Sequence, residues 1–175
     1  WGIMGTGNIA RKFAEAVKTS STGVLVAVGS RAQATAETFG DSFGIPKRYD
    51  SYAAVLADPA VQAVYISMPN QLHAEWAIKA AEAGKHILCE KPLALNHAEA
   101  MAIVEAAQTH KVFLMEAFMY RCHPLMAKLS ELLKAKVIGE LRIIQANFCF
   151  NMGEKFDNIR LQNDCGGGGI MDLGC

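Results

Sequence analysis

The stretch Gly2–Ala10, "GIMGTGNIA", decides the fold. The apolar run "WGIM" ending at Met4 reads as a strand, and "NIARKFAEAVKTS" after it has a helical period. Between them Gly5, Gly7 and Ala10 stand in G-x-G-x-x-A spacing. Gly5 permits a tight turn, Gly7 carries no side chain to block an approaching pyrophosphate, and Ala10 lets helix and strand pack closely. With Thr6, Asn8 and Ile9 they make a cradle at a helix N-terminus, where free N–H groups and the positive end of the dipole suit phosphate. Glycines serve turns in many loops, so the spacing by itself says little. The strand before and the helix after favour a dinucleotide.

Outward from that stretch the pattern repeats. Strands are expected at "VLVAVGS", "VYISM", "HILCE" and "VFLME", with a weaker one at "KRY". Helical stretches separate them: "AQATAETFGDSF", "SYAAVLADP", "QLHAEWAIKAAEAG" and "NHAEAMAIVEAAQTH". The strands are continuous apolar runs, as a sheet covered on both faces requires. Strand–helix alternation of this length predicts right-handed crossovers and a doubly wound parallel α/β sheet. Gly84 reads as a helix stop, and Asn96 with Glu99 as a capping box.

The pattern changes near Tyr120. An amphipathic helix is expected in "HPLMAKLSELLKAKVIG" and a long strand in "ELRIIQANFCF". No later segment offers that strand a partner, so it either joins the first sheet or begins a second, α+β domain, and the second reading is the expectation. The division is residues 1–122, a Rossmann-type domain, and 123–175, the start of the next. The chain opens inside a strand and closes on "GGGGIMDLGC", which reads as a piece cut at both ends.

Bulk composition excludes several classes. Of 175 residues, 51% are hydrophobic, and 17 basic side chains balance 17 acidic ones, so no footprint for nucleic acid or an anionic membrane is implied. No apolar run approaches the roughly 20 residues of a membrane span. Cys89, Cys122, Cys149, Cys165 and Cys175 form no CxxC pair and read as reduced thiols of a cytoplasmic protein. His73, His86, His97, His110 and His123 lie too far apart for short metal-ligand pairs, and no metal is expected.

The end of the second strand bears on the choice of dinucleotide. An NAD site usually carries an acid there for the ribose 2′-OH. Here "VGSRAQA" offers Ser30 and Arg31 instead, a hydroxyl and a guanidinium suited to a 2′-phosphate. The expectation is NADP, with NAD possible. A solvated loop arginine is the competing reading of Arg31.

Four segments, "GTGNIA", "MPNQLH", "CEKPLA" and "GGGGIMDLGC", occur in order and spacing that resemble the Gfo/Idh/MocA oxidoreductases. The resemblance implies a Rossmann domain followed by an α+β domain on an open sheet. It implies hydride transfer between NADP(H) and a secondary alcohol or carbonyl of a sugar, cyclic polyol or trans-dihydrodiol. Lys91 would be the catalytic lysine, with Pro92 in the often cis Lys-Pro bond of the family. A lysine in a partly dry cleft exchanges a proton near neutral pH more readily, because desolvation disfavours the ammonium. Glu90 would support the site by hydrogen bonding. Met68, Pro69, Asn70 and His73 would line the nicotinamide side, although His73 also reads as a helix-start residue with no ligand role. Glu116 and Arg121 could face cofactor or substrate, while Phe118, Met119, Tyr120, Cys89 and Cys122 read as packing residues. Asp172 matches the family's D-x-x-x-H or D-x-x-x-Y aspartate, whose i+4 partner would fall one past Cys175. The glycines before it would let the chain pass close to substrate. The family also contains non-catalytic dinucleotide-binding regulators and enzymes that cleave glycosides through transient nicotinamide chemistry. A parent protein of this kind would be a homo-oligomer joined through the sheet of the second domain.

Overall fold

In the computed structural model, which describes residues 1–151, 153 and 157–174, six strands form one parallel sheet. They are β1 (Gly2–Met4), β2 (Ala27–Gly29), β3 (Lys47–Tyr49), β4 (Ala63–Ile66), β5 (His86–Cys89) and β6 (Leu114–Glu116). The order is β3-β2-β1-β4-β5-β6, and every ladder is parallel. Order therefore reverses between β1 and β4, which opens a crevice at the carboxyl ends of the strands.

Alternation along the strands assigns the two faces. Ile3, Val28 and Tyr65 pack with Ala10, Ala14 and Phe39 from α1 (Asn8–Lys18) and α2 (Gln33–Phe43). Met4, Ala27, Val64, Ile66, Ile87 and Cys89 face the other way. They meet α3 (Tyr52–Ala57), α4 (His73–Glu82) and α5 (His97–Thr109). Ala10 is fully buried against the sheet, the close approach that its small side chain allows. Phe39, also fully buried, fills the space between α2 and the sheet. Phe39→Ala should cost about 3–5 kcal/mol, by lost transfer energy plus a residual cavity. Denaturant unfolding would report this as a lower midpoint at unchanged slope.

Helix ends follow the sequence signals. Asn96 Oδ1 accepts the Glu99 N–H at 3.0 Å, while Glu99 takes the Leu95 N–H at 3.0 Å and the Asn96 side-chain amide at 2.9 Å. Gly84, at φ +70°, stops the chain after α4.

The region after β6 departs from expectation. Helix α6 (Pro124–Lys134) forms, with Pro124 in its first turn and the His123 ring accepting the Leu125 N–H. The expected strand over 140–150 does not form. Those residues carry no ladder partner, and Ile143, Ile144, Phe148 and Phe150 are exposed. A strand exists only with a partner, and no described segment supplies one. Cys122, expected to be buried, is exposed. The four described cysteines are unpaired, and Cys175 lies outside the described residues. Among the described residues no helix is long and apolar enough to cross a membrane.

Candidate active site

At the carboxyl edge of the sheet a cavity of about 430 Å³ is lined from five parts of the chain, together with Tyr52 at the start of α3. The first is the glycine turn. Gly5 has φ +111°, and its N–H donates to the Gly29 carbonyl at 3.0 Å, tying the turn to β2. A Cβ on Gly5 would lie 2.9 Å from Ser67 Oγ. A Cβ on Gly7 would meet no protein atom within 4 Å. Nothing within the chain therefore requires glycine at Gly7, and the open space suits a ligand that closes on the backbone. Gly7 is also the N-cap of α1 and supplies no side-chain acceptor, so the first N–H groups of that helix remain available. This is the shape a pyrophosphate requires, and the residues fit a dinucleotide.

Ser30 and Arg31 line the cavity after β2. Thr35 Oγ1 donates to the Ala32 carbonyl at 2.8 Å, so the short Ser30–Thr35 contact of 2.5 Å uses the Ser30 hydrogen. Ser30 is thereby left as an acceptor, and Arg31 is the donor suited to a phosphate at this edge.

After β4, Met68, Pro69 and Asn70 line the cavity. His73 does not. It is fully buried, with Nδ1 2.8 Å from the Pro92 carbonyl and Nε2 2.9 Å from the Met68 carbonyl. It braces two cavity loops from behind, closer to the packing alternative than to a cofactor contact. Asn8 and Arg121 are exposed and lie outside the lining, as does Glu116, whose Oε1 accepts the Leu93 N–H at 2.8 Å.

β5 delivers Glu90 and Lys91, followed by a cis Lys91–Pro92 bond. Tyr65 Oη donates to Glu90 Oε1 at 2.5 Å, and the ring of Tyr65 stacks on Phe13 at 4.0 Å. Burial, then the Glu90 carboxylate, pushes the Tyr65 hydroxyl far above its ordinary value, so it stays a donor. Burial likewise raises the Cys89 thiol, which excludes it as a nucleophile at neutral pH.

The fifth part arrives from the far end of the chain. Asn70 donates its side-chain amide to the Cys165 carbonyl at 3.0 Å, docking the glycine-rich segment on the β4 loop. The turn that follows, Ile170–Gly174, brings Asp172 to Lys91 across 81 residues, with Nζ to Oδ1 at 3.0 Å. Lys91 also donates to the Asp172 carbonyl. The other carboxylate oxygen accepts from Arg160 Nε at 2.7 Å. Partial burial pushes the Asp172 carboxyl up, but its bonds to Lys91 and Arg160 outweigh this and hold it below the ordinary aspartate value.

Gly166 lines the cavity, whereas Gly167 serves a contact within the chain. A Cβ on Gly167 would sit 2.7 Å from the Arg160 carbonyl and 2.8 Å from that of Gln162, so this glycine permits contact with protein backbone. Arg160 and Tyr65 were absent from the sequence reading. Tyr65 had one signal, a phenol in a buried strand that needs a hydrogen-bond partner. Arg160 had none beyond its charge.

Three comparisons bear on this geometry. Residues 1–118 match the oxidoreductase family with an NAD-binding Rossmann fold. D-xylose 1-dehydrogenase (NADP(+)) 2 of Haloferax volcanii is 42% identical over 175 residues, covering 100% of this chain and 54% of that protein. Trans-1,2-dihydrobenzene-1,2-diol dehydrogenase of Xenopus laevis is 35% identical over 179 residues, covering 100% and 53%. The chain thus spans about half the length of the curated relatives it matches. Among solved structures, a 3-ketoreductase from Actinomadura kijaniata in complex with NADP and TDP-benzene superposes with a TM-score of 0.91. It is 35% identical, and the match covers 99% of this chain and 53% of that one.

Proposed function

The chain belongs to the Gfo/Idh/MocA oxidoreductase family, whose fold is an NAD-binding Rossmann domain, and from that premise we propose an NADP-preferring oxidoreductase. Its substrate is a sugar, a cyclic polyol or a trans-dihydrodiol, reacting at a secondary alcohol or the corresponding carbonyl. The observation that carries this reading is the convergence of the glycine cradle, Arg31 and the Lys91–Asp172 pair on one cavity. The relatives named for NADP(+)-linked D-xylose oxidation and for dihydrodiol oxidation support the substrate class.

Nicotinamide, when bound, supplies or accepts the hydride. The chain's own residues do the rest. Gly5, Thr6, Gly7 and Ile9 with the start of α1 hold the pyrophosphate, and Arg31 takes the 2′-phosphate. Met68, Pro69 and Asn70, which line the cavity, would contact the nicotinamide side of the cofactor. Lys91 Nζ passes a proton to the carbonyl oxygen in reduction and takes it from the hydroxyl in oxidation. Asp172 aims that ammonium, and Glu90, held by Tyr65, supports the same wall. Residues 1–122 form the dinucleotide domain and residues 123–175 begin a second one. The unpaired described thiols support residence in the cytoplasm. The parent protein would be a homo-oligomer joined through the sheet of the second domain.

The test is turnover by the protein offered NADP(+) with a panel of aldoses, cyclic polyols and dihydrodiols. NADPH formation on one class supports the reading. Release of sugar without net NADPH would move the protein to the glycoside-cleaving branch. Cofactor binding with a ligand response and no turnover would mark a regulator. Specificity has its own expected result. Arg31→Ala should weaken NADP binding about ten- to a hundredfold, the loss of a hydrogen bond to a charged group, while changing NAD affinity little. Parallel calorimetric titrations measure both.

A further inference from the structure

Asp172 is the only carboxylate among the described residues whose two oxygens are each held by a different cation of the cavity wall. Oδ1 accepts from Lys91 at 3.0 Å and Oδ2 from Arg160 at 2.7 Å. Arg160 is not there by chance of a long side chain. It lies in a 3₁₀ turn, Ile159–Leu161, whose N-cap Asn158 accepts the Arg160 N–H at 3.0 Å. The Gly168 N–H donates to the Arg160 carbonyl at 2.8 Å, and Gly167 leaves room for the two backbones to touch. The glycine run thus fixes the turn carrying Arg160 against the turn carrying Asp172.

We infer that Arg160 is a positioning residue for proton transfer, the second cation that keeps Asp172 ionised and in place when Lys91 gives up its proton. The inference rests on the proton relay proposed above and deepens it. In reduction the Nζ–H bond of Lys91 breaks, the proton joins the substrate oxygen, and the nicotinamide cofactor provides the hydride to carbon. Lys91 then becomes neutral. With Arg160 present, Asp172 still faces a full positive charge. Without it, a largely covered carboxylate would be left unpaired, which is strongly disfavoured. The carboxylate would then hold the Lys91 proton back. The charged groups paired with Asp172 are Lys91 and Arg160, with Glu90 and Arg31 lining the same cavity.

The experiment compares wild type, Arg160→Gln and Arg160→Lys in the protein that turns over NADP(H). Carbon-detected NMR would follow the Asp172 carboxyl titration, and the pH profile of kcat would be recorded beside it. Arg160→Gln should move the Asp172 midpoint upward. It should also move the acidic limb of the profile the same way and lower kcat about tenfold or more, the loss of a charge-assisted bond. KM for NADP(H) should hardly change. Arg160→Lys should recover part of both shifts. An unmoved Asp172 titration in Arg160→Gln overturns the inference, as does a kcat loss equal at every pH and unrescued by lysine. The NMR titration needs no turnover. If no variant and no wild type acts on any substrate, the functional reading fails while the Arg160–Asp172 linkage is still judged.

Discussion

Lys91→Ala should lower turnover by about 10²–10⁴, the range for removing a positioned general acid–base group. NADP affinity should stay within about tenfold, since the proposed phosphate contacts fall on the cradle and Arg31. The loss should therefore appear in kcat and in kcat/KM together, the signature of an interaction made in the transition state. Lys91→Arg sharpens the test. An arginine preserves the charge opposite Asp172 but cannot release its proton at any pH the protein survives. If Lys91 serves only to hold Asp172, the arginine variant should retain most activity. If it relays a proton, both variants should be similarly slow. Pre-steady-state absorbance of NADPH separates the outcomes without relying on KM.

Gly5→Ala carries the second large effect, and it should fall on binding. The backbone at φ +111° strains any residue with a Cβ by about 1–3 kcal/mol. The new methyl would also press on Ser67 Oγ at 2.9 Å and the Ser67 carbonyl at 3.2 Å. The turn must open, and with it the N–H bond to Gly29 that fixes the cradle. NADP and NAD should both weaken, by about tenfold or more, because the pyrophosphate is common to them. Gly7→Ala is the informative companion. It meets no protein atom, so the fold should be untouched and any loss reflects the ligand's approach alone. Calorimetry on both variants, with thermal unfolding as a check on folding, distinguishes a broken turn from a blocked one.

The first two-thirds of the fold could be read from the chain because local signals there agree with one another. Continuous apolar strands, helices of 3.6 period and the Asn96–Glu99 box all point to parallel crossovers, while the 3-2-1-4-5-6 order is visible only in the structure. Even "KRY" held as β3, although only one of its residues is apolar, because its backbone extends the ladder of β2. The segment 140–150 read as a strand on β-rich composition alone. Composition says that a segment can pair, and the partner decides whether it does. Within the site, Lys91 and Asp172 were legible through motifs, and the structure places their side chains 3.0 Å apart. Arg160 was not. Its place depends on a capped turn, a backbone contact at Gly167 and a docked loop, none of which has a local period or a spacing. His73 was open between a cofactor contact and a helix-start residue for a related reason. Its partners are the backbone carbonyls of Met68 and Pro92, and carbonyls leave no trace in a residue pattern. The contact between the Ser30 and Thr35 hydroxyls, 2.5 Å apart, likewise has no signature in the residue pattern.

The central claim is an NADP-preferring dinucleotide site that brings a cofactor to Lys91. Calorimetric titration of the wild-type protein with NADP and NAD in parallel tests it most directly. Both should bind, with NADP the tighter by about tenfold or more, the contribution of a guanidinium bond to the 2′-phosphate. A folded protein that takes up neither dinucleotide, or that binds NAD more tightly than NADP, would contradict it.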